Sequence, residues 1–258
     1  GRPVAAATRR TGAGGGVAFE GPARLSQTGL FADVEDRVLA RGVVPYGIAF
    51  PMWSDRAAKE RYLWLPPGTV IDTEDEDHWR FPVGTKAWKT FTVEGRTIET
   101  RLVEKRRDGW SMVSYLWRDD MTDADAVPAG VVDAVGTLHD VPDQEDCGLC
   151  HDGVADGLIG VSTLQLGLAP EPNLLSRLVA DQRLSHPPDT PPSVPGAGVV
   201  REALAYLHAN CGHCHNDTSG LRQETPLSLE LRLGDAAPEQ TPAYTTGIGA
   251  EMKHVLFG

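Results

Sequence analysis

Long hydrophobic runs are absent from this 258-residue chain, although 41% of its residues are hydrophobic. A helix that crosses a bilayer needs about 20 consecutive apolar residues, and no segment comes near that length. The first residues also lack the charged start and apolar core of a signal peptide. We therefore expect a protein without a transmembrane segment.

Cysteine is scarce, and all 4 cysteines fall in two short motifs. Each motif reads Cys-x-x-Cys-His, once over Cys147–His151 and once over Cys211–His215. This is the attachment pattern of covalent c-type haem. The two thiols, one helical turn apart, add to the two vinyl groups on one edge of a haem, and the histidine ligates the iron as the proximal ligand. The sequence therefore predicts two covalently bound haem c groups.

The candidate cofactor-binding residues are the thiols and imidazoles of the two motifs, and the imidazoles are the predicted proximal iron ligands. They are Cys147, Cys150, His151, Cys211, Cys214 and His215. No cysteine is left for a disulfide bond.

Two other interpretations use the same cysteines. One zinc site could be built from both Cys-x-x-Cys pairs, but 60 residues separate Cys150 from Cys211, and zinc would not require His151 or His215. A redox dithiol of the thioredoxin type needs a βαβ context, which the sequence does not show. The haem interpretation accounts for both histidines.

Basic residues are missing from residues 119–176, which contain 12 acidic residues and no Lys or Arg. The net charge of the whole chain is −12, so this stretch accounts for all of it. An acidic surface that keeps an exported protein in solution is one interpretation. Attraction of a basic redox partner is the other, and either one argues against nucleic acid as a partner.

Composition and periodicity divide the chain into three parts, which together predict an α+β fold. Residues 1–23 are rich in Gly and Ala and are expected to form a flexible arm. Residues 24–127 are expected to form an antiparallel β domain, because short alternating segments such as Trp110–Trp117 follow turn signals such as Asp108-Gly109. Residues 128–258 are expected to form a mostly α-helical, cytochrome c-like region that carries both haems.

The helix that leads into the second motif has the clearest pattern of that region. Its apolar residues fall at helical spacing and predict its buried face. They are Val200, Ala203, Leu204 and Leu207.

With these motifs in view, the sequence resembles a family of bacterial dihaem c-type cytochromes that combine a β-rich N-terminal region with a C-terminal cytochrome region. The resemblance rests on both haem motifs and on segments spread over nearly the whole chain. These are residues 25–31, 44–46, 52–55, 65–69, 81–85, 99–101 and 206–215. It implies haem binding and electron transfer, with no established substrate. Members usually continue to a Met-Pro-Pro loop that supplies a distal methionine to the last haem, and this sequence ends before such a loop.

The distal iron ligands have no motif of their own. For the first haem the candidates are Met121 and His186, and for the second haem the candidate is Met252. A methionine ligand would raise the reduction potential relative to a second histidine.

These observations predict a dihaem electron carrier that passes electrons between redox partners. A dihaem peroxidase is the enzymatic alternative, in which one iron keeps an open position. Haem attachment of this kind occurs outside the bacterial cytoplasm, so we expect a periplasmic protein whose export signal has been removed. The last residues look like an interrupted element, and we expect the chain to continue beyond Gly258.

Overall fold

The computed structural model describes residues 21–220 and 224–249, and its main element is a six-stranded antiparallel sheet in which strands follow chain order. A two-stranded ribbon, β1 and β2, precedes the sheet, which consists of β3 to β8. The strands are β1 (Phe31–Asp33), β2 (Val38–Leu39), β3 (Val44–Tyr46), β4 (Ala58–Trp64), β5 (Lys86–Val93), β6 (Arg96–Arg106), β7 (Gly109–Trp117) and β8 (Ala124–Ala126). Of the arm predicted over residues 1–23, only residues 21–23 are among those described.

Two short turns set the register of the central strands. Glu94 and Gly95 connect β5 to β6 with φ angles of 49° and 82°. A two-residue turn with positive φ at both positions matches the twist of the strands it joins. At the start of β7, Gly109 has a φ of 140°, which glycine adopts without strain.

The two faces of the sheet pack against different parts of the chain. On one face, Trp88, Leu102 and Tyr115 pack with the N-terminal residues Leu25 and Leu30. On the other face, side chains of β4 and β5 pack with residues from beyond β8. That core comprises Leu63, Ile71, Trp79, Phe81, Ala87, Val161, Leu166, Leu174, Leu175, Leu178 and Leu184. It therefore spans the predicted boundary between residues 127 and 128.

The expectation that residues 128–258 form a mostly α-helical cytochrome c-like region is wrong. Sheet is the main regular structure of the protein, and the α-helices described are short. They are α1 (Gln144–His151), α2 (Thr163–Gly167), α3 (Leu174–Ala180), α4 (Gly198–Asn210) and α5 (Pro242–Gly247). Turns and loops make up most of what lies between them.

Proline and glycine explain why these helices stay short. The chain contains 19 Pro and 28 Gly, and prolines at positions 187, 188, 191, 192 and 195 separate α3 from α4. Proline removes a backbone donor and fixes φ, so this segment cannot continue a helix. Side chains hold the loops instead: Arg183 donates from Nε to the carbonyl oxygen of Thr69 at 2.6 Å and from Nη2 to that of Pro66 at 2.9 Å.

No helix in the described part of the chain combines the length and the apolar character needed to cross a bilayer.

Candidate haem-binding site

The first motif lies on α1, which begins at a capping aspartate. The carboxylate of Asp143 accepts a hydrogen bond from the backbone N–H of Asp146 at 2.8 Å. Acidic side chains in the first turn, Glu145 and Asp146, stabilise the positive end of the helix dipole. The helix therefore presents Cys147 and Cys150 one turn apart, with both thiols on one side.

His151 closes α1 with an imidazole oriented as a metal ligand. Its Nδ1 lies 2.5 Å from the carbonyl oxygen of Gly157. Because a carbonyl oxygen only accepts hydrogen bonds, Nδ1 carries the proton and Nε2 keeps its lone pair. Burial lowers the pKa of His151 to about 4, so the ring is neutral at pH 7. Metal-ligating histidines commonly make this contact to a backbone carbonyl.

The second motif forms a single turn after α4. The backbone N–H groups of Cys214 and His215 donate to the carbonyl oxygen of Cys211 at 3.0 and 2.8 Å. The Nδ1 atom of His215 is buried and has no hydrogen-bond partner among the described residues. Buried polar atoms are normally paired, and Nδ1 of His213 in the same motif is also buried and unpaired, so the second motif offers two imidazoles to a ligand.

The two motifs are in direct contact. The side-chain amide of Asn216 donates to the carbonyl oxygens of Gly153 and Gly212, both at 2.8 Å. A Cβ atom at Gly153 would overlap the carbonyl oxygen of His213, so only glycine allows this approach. The segments that follow each motif are therefore packed together, although 60 residues separate the motifs in sequence.

Contact between the motifs also creates a cluster of metal-binding atoms. One ligand atom each from Cys150, His213 and Cys214 lies within 4.8 Å of the others, and no other such group occurs in residues 21–220 and 224–249. Burial and the neighbouring Cys150 thiol raise the pKa of Cys214. The sequence separation of the motifs is therefore no objection to a zinc site.

A cleft with a cavity volume of about 90 Å³, partly open to solvent, lies between the second motif and the sheet. Gly212 and His213 line one side, and Arg61 and Lys89 line the side formed by the sheet. Sequence reasoning did not single out these two cations. Their sequence neighbours, Glu60 for Arg61 and Thr90 for Lys89, gave no signal of a shared site, and only the register of β4 and β5 places the two cations side by side.

Apolar side chains remain exposed beside the second motif. Trp53 is 65% exposed and Tyr206 is 58% exposed. Both residues are hydrogen-bonded to Asn210, the last residue of α4. The backbone N–H of Trp53 donates to Oδ1 of Asn210 at 2.7 Å, and Nδ2 of Asn210 donates to the backbone carbonyl of Tyr206 at 3.0 Å. An exposed apolar surface next to the second motif is one against which a large apolar ring system can pack.

The two candidate distal ligands that the structure describes, Met121 and His186, lie apart from the motifs. Met121 packs with the core on the face of the sheet that carries Trp88, whereas the first motif interacts with Arg101 and Glu99 on the opposite face. His186 is exposed and hydrogen-bonded to Ser185, and it does not line the cleft. Met252 falls outside the described residues.

Two other histidines that line the cleft are already committed to protein contacts. His208 accepts a hydrogen bond from the backbone N–H of Leu231 at its Nδ1, so Nε2 carries the proton and cannot bind iron. His78 contacts Asp75 through Nδ1 at 3.0 Å and Glu230 through Nε2 at 3.1 Å. Both nitrogens of His78 are therefore occupied.

The donor set at the motifs fits covalently attached haem. Each motif offers two free thiols and a following histidine, and Nε2 of His151 is free to bind a metal because Nδ1 is hydrogen-bonded to the Gly157 carbonyl. Comparison with family models, with curated proteins and with solved structures gave no match for this chain.

Proposed function

We propose that this protein is a periplasmic dihaem c-type cytochrome that transfers electrons between redox partners. The observation that carries the proposal is the geometry of His151, whose Nδ1–H is fixed on the Gly157 carbonyl while Nε2 is left free on the turn that ends the first Cys-x-x-Cys pair. A structural zinc site built from the four cysteines alone would not require a histidine after either Cys-x-x-Cys pair.

Contact between the motifs supports electron transfer rather than two independent sites. When bound, haem supplies a one-electron iron couple. The Asn216 amide holds the two attachment segments together through the carbonyl oxygens of Gly153 and Gly212. The chain would thereby keep both cofactors near each other, so that an electron accepted at one side of the protein has a short path to the other.

The test is a haem count on protein matured in a host that attaches c-type haem. We expect the pyridine haemochrome assay to give two haems per chain and the intact mass to exceed the peptide mass by two iron porphyrins. Replacing Cys211 and Cys214 with Ser should remove one haem and leave the other. The bare peptide mass would refute the proposal, and a high-spin iron with peroxide turnover would identify a peroxidase instead of a carrier.

A zinc-binding module is the second candidate, and the cluster of Cys150, His213 and Cys214 favours it. Zinc is usually held by four such ligands in a tetrahedron, so one more would be required. The two candidates predict different effects for two substitutions. Replacing His213 with Ala should abolish metal binding if the metal is zinc, whereas replacing His215 with Ala should change the iron spectrum if the cofactor is haem.

A further inference from the structure

The two motifs meet through one cysteine of each pair and the histidine between the cysteines of the second pair. One ligand atom each from Cys150, His213 and Cys214 lies within 4.8 Å of the other two. The Cys147 thiol is directed back along α1, where it donates to the backbone carbonyl of Asp143 at 3.4 Å. This triad, Cys150–His213–Cys214, therefore differs from a zinc knuckle, in which both cysteines of one Cys-x-x-Cys pair bind the same ion.

Contacts outside the triad hold its members together. Gly153, three residues after Cys150, lies so close to the carbonyl oxygen of His213 that a Cβ atom would overlap it. The Asn216 side chain is only 2% exposed, and its Nδ2 donates to the carbonyl oxygens of Gly153 at 2.8 Å and His213 at 3.1 Å. These contacts fix the end of α1 against the second motif, so the fold of the chain alone brings the three ligand atoms together.

The imidazole of His213 is an independent indication of a bound group. Its Nδ1 atom is buried and has no hydrogen-bond partner within residues 21–220 and 224–249. Buried polar atoms are normally paired. His213 also has no role in the proposed haem attachment, which uses the cysteines and the closing histidine of each motif. A metal ion at the triad would give this ring a partner that the described residues do not supply.

We propose that the haem-free chain binds one zinc ion at the triad and that this ion excludes haem from both motifs. Two thiolates and an imidazole are donors that zinc prefers, and a water molecule completes the tetrahedron. Ligand atoms of such a tetrahedron lie about 3.6 Å apart, so the triad needs to contract by about 1 Å at most. Binding releases the two thiol protons to solvent.

Exclusion of haem follows from the choice of thiols, and this part of the inference rests on the proposed function. Each haem needs both thiols of its pair, whereas the triad takes Cys150 from the first pair and Cys214 from the second. A single ion therefore blocks both attachments. Unlike a zinc-binding module, this chain carries two haems and no zinc once it is mature.

The first experiment measures zinc binding by the full chain, produced in a host without haem-attachment proteins and kept reduced. Equilibrium dialysis should give one zinc ion per chain. Cys150→Ser, Cys214→Ser and His213→Ala should each weaken binding at least about tenfold, because each removes a ligand. Cys147→Ser and Cys211→Ser are the matched controls, since they alter the same motifs outside the triad, and they should bind zinc like the unaltered chain.

The second experiment identifies the thiols that the ion occupies. Iodoacetamide should alkylate all 4 cysteines of the metal-free chain, as peptide mass mapping shows. Zinc should protect Cys150 and Cys214 and leave Cys147 and Cys211 reactive. Zinc added during haem attachment in vitro should lower the haem count of the unaltered chain. His213→Ala keeps every thiol and should still acquire two haems in the presence of zinc.

Two outcomes would overturn the inference and leave the proposed function intact. One is a chain that acquires two haems in a competent host but binds zinc no more tightly than Cys150→Ser when haem-free. The other is equal protection of all four thiols, because both pairs would then act as ordinary knuckles. If Cys214→Ser does not fold, the alkylation pattern of the unaltered chain decides the same question. One zinc ion per haem-free chain, with the bare peptide mass after maturation, would keep the metal site and refute the proposed function.

Discussion

At the scale of single residues, His151 is the best-defined group of the candidate site. One hydrogen bond from Nδ1 to the Gly157 carbonyl fixes both its tautomer and its orientation. The sequence predicted the ligand from its place after Cys150, but nothing in the sequence indicated which nitrogen would be free. That detail depends on the loop of residues 152–160 returning to the end of α1.

Replacing His151 with Ala should remove the proximal ligand and leave the thioether attachment intact. We expect unchanged haem content with a loss of the low-spin spectrum at one of the two irons. Pyridine haemochrome counting and the visible spectrum of the oxidised protein measure the two quantities. The control is His186→Ala, because the His186 side chain is exposed and its hydrogen bond among the described residues is to the adjacent Ser185. A His151→Ala spectrum identical to that of the control would contradict the ligand assignment.

His78 provides a pH-dependent link between the β half and the C-terminal half. Its hydrogen bond to Glu230, with a further contribution from Asp75, raises the pKa of His78 to about 9 from an ordinary value of 6.5. The folded protein therefore binds this proton more tightly than the unfolded chain. The stabilisation is complete below about pH 6.5 and disappears as the pH rises through about 9.

Replacing His78 with Gln should accordingly lower the free energy of unfolding by about 1 kcal/mol at pH 6, a value reduced for solvent screening of the partly exposed pair. At pH 10 the variant and the unaltered protein should differ little. Urea denaturation at the two pH values provides the measurement. A penalty of the same size at both pH values would show that packing rather than charge is responsible.

At the scale of secondary-structure elements, sequence patterns succeeded where the signal was local. The strand predicted over Trp110–Trp117 corresponds to β7, and the glycine of Asp108-Gly109 begins it with the positive φ that the pattern requires. The helix before the second motif is α4, but its buried side chains are Leu204, Ala205 and Ala209, whereas Val200 is 45% exposed. Periodicity located the helix and not the face that the neighbouring loops cover.

The mostly helical C-terminal region failed as a prediction for a related reason. The side chains of Ser162 and Asn173 cap α2 and α3 by accepting hydrogen bonds from the backbone N–H groups of Gln165 and Ser176. Each helix is nevertheless only a few residues long, because Gly or Pro follows within a turn or two. Helices of this length are unstable alone, and packing against the sheet determines how far they extend.

The conformation of the loop that follows α1 requires glycine at position 157, and helix and strand propensities do not predict this requirement. Gly157 has a φ of 65°, and an added Cβ would overlap the indole of Trp110. Replacing Gly157 with Ala should lower the free energy of unfolding by about 3 kcal/mol, which combines about 1 kcal/mol of backbone strain with about 2 of overpacking. It should also disturb the iron spectrum through His151.

The matched control is Gly95→Ala, since Gly95 has a φ of 82° and open space around its Cβ position. That variant should show only the backbone strain of about 1 kcal/mol and an unchanged spectrum. Chemical denaturation and the visible spectrum of both variants test the comparison. Equal losses of unfolding free energy in the two variants would mean that the contact with Trp110 does not contribute to the cost of Gly157→Ala.

At the scale of the whole molecule, the approach of the two motifs was beyond sequence reasoning. Nothing local relates Gly153 to Asn216, and their contact arises because both segments dock on the same face of the sheet. The side-by-side placement of Arg61, Lys89 and Arg101 is equally non-local, since it exists only in the register of β4, β5 and β6. Residue types therefore predicted two motifs, and tertiary packing determined which other side chains lie beside them.

The negative electrostatic field of residues 119–176 is smaller than their composition suggests, because several of their carboxylates form ion pairs. Asp119 pairs with Arg96 at 2.5 Å, Asp125 with Arg118 at 2.6 Å and Asp156 with Lys105 at 2.5 Å. Each of these basic partners lies outside the stretch. Exposed carboxylates remain at both ends of α1, on Glu145 and on Asp152, and they surround the first motif.

If the proposed electron carrier has a basic redox partner, we expect that partner to dock against these exposed carboxylates. Electron transfer to a small basic cytochrome c should slow as salt rises from 10 to 200 mM, on the order of tenfold or more, because the Debye length shortens from about 30 Å to below 10 Å.

Replacing Glu145 with Gln and Asp152 with Asn should flatten that salt dependence in stopped-flow measurements. Replacing Glu35, an exposed carboxylate in the turn between β1 and β2, should leave it unchanged. Equal salt dependence in all the variants would place the docking surface elsewhere, since a charge that steers association must lie near the point of contact.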